Sequence, residues 1–379
     1  MTAIFLYGSL LYKPLLKLVL GSDSDAVTVP ARVRDHAVHW AEGGSFPLIV
    51  AASGTVAEGV VLTGLSGRDL QRLDYYEGGF AYQRLPVEAV TEAGSVQATV
   101  YFPEPGHWSP GAVWSLAGWQ QRCGAMALRA APEVMAGFGH IPAAEMATRR
   151  RSIEVSAASW VRAQAEDTPR DLRRDFSAAN VEVSARRQPY GKFFSLKEQD
   201  LRFATFGGGQ SAVVERAAFV SGDAVTVLPY DPERDRVLLV EQFRFGPLVR
   251  GDRYPWSLEP IAGRIDPGET PQQAAVRETR EEAGLTLHQL EPVANYYPSP
   301  GAVSEYLISY IGIVDLPDNV AKIAGLESES EDIRGLLVSF DDLMAALQSG
   351  EAQNGPLILT ALWLAANRGR LRARHTAGA

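Results

Sequence analysis

Only one cysteine, Cys123, stands among 379 residues, which excludes an internal disulfide and fits a reducing, cytoplasmic setting. It sits in WSLAGWQQRCGAMAL, which reads as a buried helix, so no nucleophilic role is expected of it. Six histidines are scattered singly, apart from His36 and His39 in the strand-like RDHAVHW, and give no metal-binding spacing. No apolar run approaches the ~20 residues that a membrane helix needs. The opening MTAIFLYGSLLYKPLLKLVL lacks a basic start, and Lys13 and Lys17 interrupt it, so a secretory signal is not expected. Basic excess is missing too. Net charge is −9, with 12 Lys and Arg against 14 Asp and Glu up to residue 160, and 24 against 31 beyond it. Neither part carries the electrostatic footprint of a nucleic-acid binder. The chain shows no internal repeat and no low-complexity tract.

What is present divides into two patterns. A hydrophobic content of 46% is ordinary for a globular protein, and the length suggests two or three domains. Residues 3–105 alternate short β runs (AIFLYGSL, ARVRDHAVHW, VAEGVVLTGL, QATVYFP) with turns, around one helical piece, SGRDLQRLDYYEG. Residues 112–138 read as a long apolar helix broken near Pro132, with Trp114, Trp119, Met126, Met135 and Phe138 in the core. The charged stretch 146–177 reads as a connector between a domain at 1–145 and another at 178–379. From 178 the chain is strand-rich again, with a turn at Asp231-Pro232-Glu233-Arg234-Asp235.

The densest chemistry lies in GRIDPGETPQQAAVRETREEAGL, Gly263 to Leu285. Thr270 and Pro271 are a hydroxyl N-cap and a first-turn proline, and Gly284 is a helix stop. Between them lies a helix of about four turns. Glu278 and Glu282 are four apart on one face, and Glu281 borders the same side. Arg277 is placed to orient Glu281, while Ala274, Ala275 and Val276 supply the small buried side. Clustered carboxylates repel unless a cation sits among them, and hard oxygen donors favour Mg²⁺, with Mn²⁺ as the other choice. Glu278, Glu281 and Glu282 are therefore the expected metal ligands, with Glu281 and Glu282 central to catalysis and Glu269 an auxiliary carboxylate.

These residues resemble the Nudix box, G-x5-E-x7-R-E-U-x-E-E-x-G-U, where U is aliphatic; Thr279 stands at the first U, a position that packs rather than ligates. The resemblance implies an α/β/α sandwich and a metal-dependent diphosphate hydrolase, with the Ala262 carbonyl completing the coordination. Three flanking segments narrow it to the ADP-ribose pyrophosphatase subfamily. Leu239 to Arg244 resembles the upstream strand, in which Arg244 contacts substrate and Glu241 helps bind the purine end. Tyr297-Pro298-Ser299-Pro300-Gly301 followed by Glu305 resembles the downstream segment, adding Ser299, Gly301 and Glu305 to Gly263 as substrate-binding positions. Glu327 to Ile333 resembles the acidic loop that supplies the catalytic base, Glu329 or, by preference, Glu331. The implied reaction is hydrolysis of ADP-ribose to AMP and ribose 5-phosphate. GDP-mannose is the alternative substrate, and a silent ADP-ribose- or nucleotide-binding sensor, with the N-terminal half as a structural or ligand-binding module, the alternative role. The subfamily forms homodimers in which strands before the box reach the partner's site, so Arg186, Arg187, Tyr190 and Phe193 are candidates to clamp the nucleotide.

The first half carries Tyr7-Gly8-Ser9-Leu10 after a strand, then Leu73-Asp74-Tyr75-Tyr76-Glu77-Gly78, Tyr82 and Arg84. This pairing resembles γ-glutamyl cyclotransferase-like (AIG2-like) proteins. It implies a β-barrel with helices, a binding turn formed by Tyr7, Gly8, Ser9 and Leu10, and Glu77 as the acid/base of ring closure to 5-oxoproline. Leu10 replaces the asparagine that many members carry after YGS. Similar fusions of the two domains are associated with tellurite resistance, although no residue here carries tellurite chemistry.

Overall fold

The structure, a computed structural model, describes residues 3–321, 323–324 and 332–378. The chain divides into two compact units, residues 1–217 and 218–379.

The first unit is built on a small barrel. Its strands are β1 (Ile4–Leu6), β2 (Val27–Ala41), β3 (Pro47–Thr63), β4 (Tyr82–Thr91) and β5 (Gly94–Pro103). The order β3-β1-β5-β4-β2 closes because β2 also pairs with β3, and β6 (Pro110–Val113) adds to the outer part of β2. Closure leaves no exposed edge on those five strands. Alternation along β1 shows how the two cores arise: Phe5 and Tyr7 point into the barrel with Val33, Ile49 and Val100, while Ile4 and Leu6 meet the helices. Those helices are α1 (Lys13–Leu20), α2 (Gly67–Glu77), α3 (Leu116–Trp119), α4 (Ala125–Ala136) and α5 (Ala143–Ala165). Close approach explains Gly59, where a side-chain carbon would stand 2.1 Å from the Leu6 carbonyl oxygen.

The break expected near Pro132 is not there. Helix α4 runs through Pro132 to Ala136, and the irregularity lies earlier, in a π turn at Gln120–Gly124 that separates α3 from α4. Pro132 forfeits one backbone bond, roughly 3 kcal/mol with its ring clash. Its neighbours Ala131, Val134 and Met135 are buried, and apolar burial worth about 1.5–3 kcal/mol for each large side chain holds the helix. Trp114, Trp119, Met126 and Met135 are buried and Phe138 packs against them; Cys123 is fully buried. Of the stretch read as a connector, residues up to 165 belong to α5, whose Met146 and Ile153 join the helical core, and 166–177 carry neither helix nor strand. A three-stranded sheet follows, β7 (Val181–Gly191), β8 (Ser195–Phe203) and β9 (Val214–Val220), in that order.

The second unit is a mixed sheet between helices. Its strands are β10 (Asp223–Asp231), β11 (Arg236–Phe243), β12 (Trp256–Glu259), β13 (Ile261–Arg264), β14 (Gln289–Tyr296), β15 (Tyr306–Ile313), β16 (Ile323–Ala324) and β17 (Ile333–Ser339). The main path is β14-β15-β10-β11-β17-β16, with β12 on β11 and β13 on β10. Its helices are α6 (Phe245–Arg250), α7 (Pro271–Ala283), α8 (Phe340–Ser349) and α9 (Gly355–Gly378). Period-2 alternation again splits the core. Val225, Val227 and Val240 pack with Ala274 and Ala275 of α7; Leu228, Tyr230 and Leu239 pack with Leu343 of α8 and Leu357 and Leu364 of α9. The α/β/α layering follows from that split.

Candidate active site

Local chemistry defines α7 at both ends. The Thr270 hydroxyl accepts the Gln273 N–H at 3.2 Å, and the Gln273 side chain accepts the Thr270 N–H at 2.9 Å. Pro271 follows at the first helical position. At the other end Gly284 is left-handed (φ 65°) and donates to the Arg280 carbonyl at 2.9 Å. The buried stripe is Ala274, Ala275, Thr279 and Glu282. Thr279 is fully buried and its hydroxyl donates to the Ala275 carbonyl at 2.7 Å, so the residue packs, as its place in the helix requires. Val276 does not join that stripe: it is 49% exposed. One step of 100° beyond Ala275 turns it away from the sheet.

The carboxylates gather around one guanidinium. Arg277 donates from Nε and Nη2 to the two oxygens of Glu269, both at 3.0 Å, and from Nη1 to Glu278 at 2.7 Å and Glu281 at 2.9 Å. Nη2 also reaches the Arg264 carbonyl at 3.0 Å, which ties the helix to the end of β13. Burial, then the charges of Glu281 and Asp266 opposed by Arg277, push the Glu278 carboxyl up to about 7. Glu282 is only 5% exposed. Gly263 on β13 has a steric reason to lack a side chain: a carbon there would lie 1.9 Å from the Glu278 carboxyl. Ala262 precedes it, paired in register with Thr226 of β10.

This donor set suits a hard divalent ion. All the donors are oxygens, and two like charges ~4 Å apart repel by roughly 4 kcal/mol at an effective dielectric of 20. One guanidinium shared among Glu269, Glu278 and Glu281 leaves the cluster short of positive charge. Among the described residues no three acidic, histidine or cysteine side chains already converge as a ready cage, because Glu278 and Glu281 are both turned onto Arg277.

A second polar group lies beside the first. Arg244, at the start of α6, forks onto Glu259 of β12 with contacts of 2.7, 3.1 and 3.2 Å, and Glu259 is 4% exposed. Glu305 has its pKa raised by burial, against the Ser221 hydroxyl at 3.5 Å and the nearby charges of Arg264 and Arg244. Ser299 and Gly301 are exposed in a turn where the Ser299 carbonyl accepts the N–H groups of Ala302 (3.1 Å) and Val303 (2.9 Å). Glu241 accepts from Arg334 at 2.8 Å. Glu329 and Glu331 lie outside the described residues. Arg186, Arg187, Tyr190 and Phe193 lie on the β7–β8 hairpin, where Arg187 is held by Glu198, Asp200 and Glu215, and Tyr190 and Phe193 are exposed. Glu259 and Arg264 were missed in the sequence; a lone glutamate beside the apolar run of WSLEPIAGR was the available signal.

In the first unit one cavity is lined by Tyr7, Gly8, Ser9, Leu10 and Glu77, with Phe46, Pro47 and Phe80 around them. At Gly8 a side-chain carbon would lie 2.4 Å from Pro47, so only glycine lets the turn close. The Tyr7 hydroxyl donates to the Tyr101 carbonyl at 2.9 Å. Glu77 ends α2, 8% exposed, and burial pushes its carboxyl up to about 7 against the opposing charge of Arg150. Arg150 comes from α5, stacks over the rings of Tyr76 and Phe80 at 4.2 and 4.3 Å, and bonds Glu154. The cavity volume is about 20 Å³, close to that of a single water.

Comparison with known proteins matches both halves. Residues 220–360 fit the family model described as NUDIX domain, and residues 4–120 the model described as Gamma-glutamyl cyclotransferase, AIG2-like. An ADP-ribose pyrophosphatase of Haemophilus influenzae is 36% identical over 199 residues, spanning 52% of this chain and 91% of that protein. One from Escherichia coli (strain K12) is 37% identical over 196 residues, spanning 52% of this chain and 93% of that protein. A GDP-mannose pyrophosphatase of Enterobacter sp. (strain 638) is 29% identical over 150 residues, 40% of this chain and 77% of that protein.

Proposed function

The chain belongs to the Nudix hydrolase family, joined to a γ-glutamyl cyclotransferase-like domain, and from that premise we propose that it hydrolyses the diphosphate bond of ADP-ribose to AMP and ribose 5-phosphate. The observation that carries this reading is the gathering of Glu269, Glu278 and Glu281 around Arg277, against the bare backbone of Gly263. Glu278, Glu281, Glu282 and the Ala262 carbonyl would hold Mg²⁺, or Mn²⁺ in its place. Such an ion neutralises phosphate oxygens and acidifies water. Arg277 keeps the carboxylates in register before substrate arrives. Arg244, aligned by Glu259, meets the diphosphate charge, and Glu305, Ser299, Gly301 and Glu241 border the nucleotide and sugar. Glu331, ahead of Glu329, takes the proton from the attacking water. The chain works in the cytoplasm as a homodimer, the β7–β8 hairpin supplying Arg186, Tyr190 and Phe193 to the nucleotide. A panel of nucleoside diphosphate sugars with Mg²⁺, its products identified by mass, tests the substrate. AMP from ADP-ribose at the highest kcat/KM is the expected result; faster turnover of GDP-mannose overturns it.

A second activity rests on a separate observation, the burial of Glu77 in the cavity formed by Tyr7 to Leu10. A carboxyl held near pH 7 can both give and take a proton under neutral conditions. The turn binds the α-carboxylate of a γ-glutamyl compound; its α-amine attacks the γ-carbonyl carbon, the γ-amide C–N bond breaks, and Glu77 passes the proton from the attacking amine to the departing amino acid or amine, leaving 5-oxoproline. A cavity of about 20 Å³ admits no such substrate until Phe46 and Pro47 move aside. Release of 5-oxoproline from γ-glutamyl amino acids or amines by the full chain, and its loss in Glu77→Gln, is the test; no release with any of them rejects the activity.

A further inference from the structure

A cavity of about 230 Å³ lies in the first unit, between helices α4 and α5 and the β7–β8 hairpin, away from the Glu77 cavity. It has room for roughly seven waters at ~30 Å³ each, the size of a small metabolite. Its polar lining consists mostly of groups able to donate. Arg149, Ser152 and Ser156 share one face of α5, and His140, Gln188 and Lys192 meet them from the other sides. Glu133, the one acidic side chain in the lining, is already held by Lys197 at 2.9 Å.

The geometry near Arg149 is unusual for a plain packing defect. Its Nη2 is held by Glu145, but Nε is buried and, among the described residues, has no hydrogen-bond partner. The Tyr75 hydroxyl, at the wall behind Gly137, is likewise buried with no partner among the described residues. Each such group costs about 1–3 kcal/mol unless something satisfies it. Two glycines in the lining let polar side chains come close to the backbone. A side-chain carbon at Gly137 would lie 2.5 Å from the Tyr75 hydroxyl oxygen, and one at Gly191 would lie 2.5 Å from the Gln188 amide nitrogen and 3.7 Å from Arg149 Nη1. The guanidinium and the amide therefore flank the same small volume. A planar fork, an amide and two hydroxyls in one cavity match the oxygens of a carboxylate or phosphate.

We infer that this cavity is a second ligand site, which takes a small organic oxyanion, carboxylate or phosphate, independently of the Nudix and Glu77 sites. The test is calorimetric titration of the full chain with inorganic phosphate, with succinate, and with neutral erythritol. One or both oxyanions bind and erythritol does not; the tighter of the two identifies the ligand as phosphate or carboxylate in kind. Arg149→Gln and Gln188→Ala each weaken that binding by about tenfold or more, about 1.4 kcal/mol, while circular dichroism stays unchanged. Selenate soaked into crystals gives an anomalous peak between Arg149 and Gln188. Absence of binding by both oxyanions, or equal affinity in the wild type and both variants, overturns the inference.

Discussion

Replacing Gly263 by alanine tests the metal site through its steric floor. The added carbon would lie 1.9 Å from the Glu278 carboxyl carbon and from Oε1, well inside contact distance, so one of the two must move. Glu278 is the mobile partner, because its carboxylate is the far end of a side chain and β13 is pinned to β10 through four paired residues. Moving it breaks the 2.7 Å bond from Arg277 and would take Glu278 away from the metal position proposed for it. The folding cost is that of modest overpacking, about 1–3 kcal/mol. The functional cost is larger, since displacing a ligand or its support weakens metal binding by about 10–100-fold. ADP-ribose hydrolysis followed across a Mg²⁺ titration should show the midpoint rising by at least about tenfold and the plateau rate falling. Gly284→Ala serves as the control. Its residue is left-handed (φ 65°), so alanine costs about 1 kcal/mol of stability without touching the carboxylates. An unchanged Mg²⁺ midpoint in Gly263→Ala, or an equal rise in Gly284→Ala, would refute the reasoning.

Three further outcomes are expected. Glu77 is raised from 4.5 to about 7, so the folded state holds its proton more tightly and ionisation opposes folding. That penalty is absent below pH ~4.5, grows up to pH ~7 and stays constant above it, reaching about 3 kcal/mol at 1.36 kcal/mol per pKa unit. Glu77→Gln should therefore raise the melting temperature at pH 8 and converge with the wild type at pH 4; a constant difference across pH contradicts the assignment. Glu259→Gln loosens the fork on Arg244 and should raise KM for ADP-ribose about tenfold with kcat nearly intact, as steady-state kinetics would show. Thr279→Val loses one buried hydrogen bond, about 1 kcal/mol in denaturant melts, and should leave hydrolysis unchanged.

Features set by neighbours in the chain were legible in the sequence alone. The N-cap at Thr270, the proline after it and the left-handed Gly284 each act within a turn, so the limits of α7 follow from residue type. The turn at Tyr7 to Leu10 and the helix ending at Glu77 were equally readable, and the fold brings both to one cavity. Features set across the sheet were not. The exposure of Val276 depends on which way α7 faces, and the run Ala274-Ala275-Val276 is apolar throughout. The Arg244–Glu259 pair joins the start of α6 to β12 across fifteen residues, with no local spacing to betray it. Arg150 reaches the Glu77 neighbourhood from α5, beyond the residues that match the cyclotransferase-like model. Pro132 misled because burial on both sides outweighs its missing donor.

The most direct measurement compares wild type and Glu282→Gln in the release of AMP from ADP-ribose with Mg²⁺ present. Glu282 is buried on the same side of α7 as Ala275 and Thr279. A loss of at least ~10³ in rate with an unchanged fold is the expected result, in line with other buried groups that stabilise charge at a reacting centre. Equal rates in the two proteins would contradict the assignment of the hydrolytic site to this helix.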